Sequence, residues 1–170
     1  MEKRIVSRFD TEDFEIKFRV KNSPAGFYFV IENYTEHPLR VNMERAAYIG
    51  TDSLSCSVTS GRLNKASQGM IYAPVVAGPH AKTDCVAMPL DYMPDFTVKN
   101  DRGSALVAGN TSTAKHFIGK ELRLLLPIEI RGVEQNYVFT FVIEDYNDEG
   151  KQIYSVEPKK AGERPKWLND

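Results

Sequence analysis

The chain has 170 residues, 42% hydrophobic and 26% charged, which fits one domain with a buried core and excludes the low-hydrophobicity, high-charge composition of disordered chains. Its 22 lysines and arginines against 23 acidic residues give a formal charge of −1, so no overall field draws it to nucleic acid or to an anionic membrane. The longest apolar runs, such as Phe27–Ile31, fall far short of the roughly 20 residues that a membrane-crossing helix needs.

Residues 1–11 read as a lead. Met1 to Arg8 starts basic but has no apolar segment and no small-residue cleavage site, so a cytoplasmic chain is expected; the bacterial cell envelope is the alternative if a leader was removed. One β-domain is expected over 12–156. It opens with Phe14–Val20, where Phe14, Ile16, Phe18 and Val20 alternate with charges, the period of a half-buried strand. After the turn-forming residues 22–26, Phe27–Asn33 is aromatic and β-branched and reads as a central strand covered on both faces. Asn33–Pro38 has the chemistry of a turn, and Leu39–Met43 reads as the return strand of that hairpin.

Ala46–Ile49 and Leu54–Val58 are two short strands divided by a Gly50–Ser53 turn, with Glu44–Tyr48 as a competing helical turn. Residues 59–69 are polar and without period, an exposed loop suited to function. Pro74 places segment 70–76 at a sheet edge, and the Ala77-Gly78-Pro79 corner leads into a strand around Cys85. Residues 89–110 read as a long connection, and 110–119 as one helical turn with a Thr or Ser start and a Gly stop. Glu121–Arg131 and Tyr137–Glu144 are two long strands of a hairpin turning at 132–136, followed by a short strand at Gln152–Val156. Residues 157–170 are charged and Pro-containing, a flexible tail that carries the only tryptophan, Trp167.

Short strands at this spacing, almost without helix, predict an all-β protein: a two-sheet immunoglobulin-like Greek-key sandwich of about 7–9 strands, with the irregular connections at 59–69 and 89–110 as crossovers. Cys56 and Cys85 both fall in strand-like segments. Buried free thiols are the reading, and one bridge between strands, implying an oxidising compartment, is the alternative.

The run Phe-Val-Ile-Glu-Asn-Tyr-Thr-Glu-His-Pro-Leu-Arg-Val at 29–41 resembles the first hairpin of small bacterial immunoglobulin-like sandwich proteins, many of them uncharacterised lipoproteins. The Ala77-Gly78-Pro79 corner and the late pair Leu124–Ile128 and Tyr137–Phe141 are similar to that group as well. The resemblance implies a fold and transfers no catalytic residue; a lipobox Cys near the start is lacking.

His37, His80 and His116 each lie in or beside a turn without a second ligand at metal-binding spacing, and read as solvated. No phosphate loop, nucleophile elbow or zincin motif is present, and the acidic run 144–150 lacks the spacing of a calcium loop. No enzyme, cofactor or metal is expected. The sequons Asn33-Tyr34-Thr35 and Asn110-Thr111-Ser112 read as coincidence. The expected function is an interaction module that binds another protein, with no nucleic acid, through loops, a sheet edge or the tail; the candidate contacts are Arg62 and Asn64 in the polar loop and Trp167. Insertion of the 59–69 loop into a protease is a special case. The alternative is a carbohydrate or small-ligand platform built from Tyr92 and Phe96, flanked by Asp91 and Asp95. A platform needs those rings exposed, whereas a core plug has them packed on the body.

Overall fold

The structure, a computed structural model, describes residues 7–21, 26–60, 75–92, 106, 117–146 and 152–159. These residues form strands β1 (Ser7–Asp10), β2 (Phe14–Lys21), β3 (Gly26–Asn33), β4 (Leu39–Val41), β5 (Ala47–Ile49), β6 (Ser55–Ser60), β7 (Val75–Ala77), β8 (Lys82–Pro89), β9 (Glu121–Ile130), β10 (Val133–Tyr146) and β11 (Gln152–Lys159). Every pairing is antiparallel, and the ladder runs β1-β2-β3-β8-β6-β5-β9-β10-β11, with β4 on β9 and β7 on β4. The fold is all-β, as the alternation predicts, and the sheet is not closed. Among the described residues no helix is long and apolar enough to cross a membrane.

The alternating pattern holds at atomic level. Phe14, Ile16 and Phe18 of β2 are buried while Lys17 and Arg19 are exposed, and Phe27, Phe29 and Ile31 of β3 point the same way. Those rings meet β10, which is not a ladder neighbour of either strand. Phe18 lies 4.7 Å from Phe139 and 5.4 Å from Phe141, Phe27 lies 5.0 Å from Phe141, and Phe9 of β1 lies 5.8 Å from Phe139. The sheet therefore bends over on itself, with these rings in the core between its two ends. Each such ring pair adds about 0.5–1.5 kcal/mol beyond the area it buries.

Strand β6 carries the ladder around the bend: Ser55–Ser57 pair with β5, and Val58–Ser60 pair with β8. One edge of β9 takes two short partners, β4 along Ile128–Ile130 and β5 along Arg123–Leu125. Between them the chain makes a single 3-10 turn at Met43–Arg45. The Pro127 carbonyl accepts the Asn42 N–H there at 2.9 Å. N–H and C=O of one strand residue point to the same side, so the donor that Pro127 lacks faces the interruption, where no strand is left without a bond.

Several expectations are corrected. Leu39–Val41 is not the return strand of a hairpin with β3, because both edges of β3 are taken, by β2 and β8; residues 34–38 cross instead to β9. Nor is β3 covered on both faces, since Val30 is 43% exposed. The late hairpin turns on Arg131-Gly132 alone, both at positive φ (56° and 74°), the two-residue turn that matches strand twist; residues 133–136 already pair with β9. Strand β1 lies within the stretch read as a lead, and β11 runs three residues past Val156.

Both cysteines are free. Register explains why: Val58 pairs with Pro89 and Ser60 with Ala87, so Cys56 lies two residues beyond one end of this paired stretch and Cys85 two residues beyond the other. Six residues of strand at about 3.3 Å each hold the two far beyond the reach of a disulfide.

Candidate interaction surface

Asn33, at the end of β3, is fully buried, and its side chain organises one end of the molecule. Its Nδ2 donates to the carbonyls of His37 (2.7 Å), Ala77 (3.2 Å) and Gly78 (3.1 Å). Its Oδ1 accepts the Thr35 N–H at 3.0 Å and the Thr35 hydroxyl at 2.8 Å. The His80 N–H then donates to the Thr35 carbonyl at 3.1 Å. A short polar side chain beside a turn binds local backbone groups in this way. Here it fastens the 34–38 segment to the 78–80 turn. The sequon at Asn33 is occupied by these bonds and closed to solvent.

The fixed loops present Tyr34 (40% exposed), Glu36, His37, Pro38, Pro79 and His80 to solvent. Strand β7 runs into the same end. Among the described residues it pairs only with β4, and Val76, opposite Arg40, is 46% exposed. A strand paired on one side offers main-chain groups for another strand to join. On the far side of β4, a depression of about 420 Å³ is lined by His37, Pro38, Arg40, Glu129, Arg131 and Gly132. Further along the same strands, Asn42 Nδ2 donates to Glu134 at 2.5 Å and to Glu129 at 3.4 Å, and Arg45 is bonded to Glu134. The Arg45 and Asn42 hydrogen bonds, with the Arg45 charge, outweigh desolvation and hold the Glu134 carboxyl below its ordinary value.

Of the residues singled out in the sequence, Tyr92 is described. It closes a 3-10 turn at Leu90–Tyr92, is half-buried, and meets Tyr48 edge-on at 5.5 Å and 90°. Burial first, with the charge of Asp52 next, raises its hydroxyl pKa, against a hydrogen bond with Tyr48 that lowers it. Tyr92 thus packs against the core. Arg62, Asn64, Phe96 and Trp167 lie outside the described residues, as do His116, Asn110 and Pro74. The structure instead gathers Val76, Arg40, Arg131, His37 and His80 at one end. In the sequence the histidines read as separate solvated residues and neither arginine stands out, because only the β4–β9 pairing makes them neighbours.

No group of three or more His, Cys, Asp or Glu side chains that could hold a metal ion occurs among the described residues. Comparison with known proteins finds no family model, no curated protein and no solved structure that matches the chain.

Proposed function

We propose that the chain is a non-enzymatic interaction module, an immunoglobulin-like two-layer Greek-key sandwich that binds another protein through the loop end and the adjoining edge of β7. The observation that carries this reading is the coincidence of a strand paired on one side among the described residues, with Val76 exposed, and two loops joined by Asn33. Loops held in place before binding lose little entropy on association, so their exposed aromatic, histidine and proline side chains give more net affinity.

The sandwich assignment is supported by the rings of β1, β2 and β3 that face β10, by the change of partners along β6, and by the crossing from β3 to β9 in place of a hairpin. The run at 29–41 that resembles bacterial immunoglobulin-like sandwiches is the run that makes this crossing.

The test is site-specific photocrosslinking in the native host with a benzophenone amino acid at Val76, and at Leu54, which is 70% exposed in the β5–β6 turn, as the control. One protein captured from position 76 and not from 54 is the expected outcome. Capture from 54 alone, or from neither position, sinks the reading.

A further inference from the structure

Six arginines lie in the described residues: Arg8, Arg19, Arg40, Arg45, Arg123 and Arg131. Arg8 holds Asp10 and Glu15, Arg45 holds Glu44 and Glu134, and Arg123 holds Glu121. Arg19 lies 5.2 Å from the centre of the Tyr28 ring. The remaining two, Arg40 and Arg131, form no ion pair among the described residues, and both line the depression beside β4. The acid of the lining, Glu129, is the register partner of Arg40 on β9, and its carboxylate accepts the Asn42 amide at 3.4 Å. Glu36 is exposed in the neighbouring loop. Two guanidinium groups with His37 on the same rim outnumber the one carboxylate of the lining.

We infer that this depression receives a carboxylate side chain from an extended, acidic segment of the protein partner, gripped between Arg40 and Arg131. The inference rests on the proposed binding role of this end of the molecule and gives the partner its chemistry. Guanidinium binds carboxylate through paired N–H donors, a geometry that an ammonium group cannot copy. The depression's volume falls at the lower end of the roughly 300–1,000 Å³ of ligand sites, which is room for an acidic side chain together with part of its backbone. Arg40 also stands beside Val76 across the β4–β7 pair, so a segment lying over β7 passes within reach of the positive rim.

The test is selection of random twelve-residue peptides by display on the immobilised full-length protein, run in parallel on the Arg40→Gln/Arg131→Gln variant. Both arginines are exposed and form no ion pair among the described residues, so the variant keeps the fold, checked by its unfolding midpoint. The strongest peptide from the wild-type selection is then mapped by amide NMR shifts on the labelled protein. Expected are sequences enriched in Asp and Glu on the wild type, no such enrichment on the variant, and affinity about tenfold weaker when the arginines are replaced. Peptides that map to Val75–Ala77 without acidic enrichment overturn the carboxylate inference and leave the edge reading standing. Peptides that map elsewhere, or no enrichment at all, overturn both. Inorganic phosphate that displaces the selected peptide at micromolar concentration identifies a small-anion site instead and also overturns the inference.

Discussion

Thr35 gives both its backbone N–H and its hydroxyl to Asn33 Oδ1, at 3.0 and 2.8 Å, while the other half of the same amide serves three carbonyls from two loops. Asn33→Ala leaves those carbonyls without their donor in a buried setting, where each unsatisfied polar group costs about 1–3 kcal/mol. The variant is expected to lose roughly 2–4 kcal/mol in urea unfolding, allowing for partial rescue by water. It should also raise the hydrogen-exchange rate of the His80 amide. Unchanged exchange there would mean that Asn33 does not fasten the loops.

Phe18 and Phe139 test whether the two ends of the ladder face each other. Phe139 is completely buried, and truncation to Ala is expected to cost about 3–5 kcal/mol. A double-mutant cycle with Phe18→Ala should return a coupling of about 0.5–1.5 kcal/mol, because their rings lie 4.7 Å apart across the core. Additive losses would refute the facing arrangement.

Arg131 occupies a left-handed backbone position that suits Asn far better. Arg131→Asn is therefore expected to raise stability by about 0.5–1 kcal/mol, read as a higher unfolding midpoint. The same change removes half of the carboxylate grip. A variant that is both more stable and weaker in peptide binding would mark Arg131 as kept for binding at the fold's expense.

Glu15 makes stability depend on acid. Burial pushes its carboxyl up, but the Lys17 hydrogen bond, the charges of Arg8 and Lys17, and the Tyr34 hydroxyl outweigh it and leave the group below its ordinary value. A carboxyl lowered on folding contributes stability above its unfolded pKa and loses it as pH falls through the folded one. Unfolding midpoints should therefore drop on acidification below the ordinary carboxylate range. Glu15→Gln should flatten that part of the profile while lowering stability at neutral pH.

The strand pattern is legible along the chain because side-chain alternation is a local property: one residue in two is apolar where one face is buried, as in Phe14–Val20. Turn chemistry was legible in part. The Gly50–Ser53 turn is found where composition placed it, with Gly50 N–H bonded to the Leu54 carbonyl at 3.0 Å. The Asn33–Pro38 turn is legible by its chemistry while the partner of the strand that follows it is not, because a turn's composition does not say which strand edge remains open when the next strand arrives.

Sequence alone determined that this is an all-β chain with Phe14, Ile16 and Phe18 on one buried strand face, since periodicity and composition act residue by residue. Tertiary structure decided the ladder order, the isolation of Cys56 from Cys85, and the meeting of Arg40 with Arg131. Those depend on strand register and on competition for edges, where distant segments meet and only the whole fold fixes which hydrogen bonds are left to make.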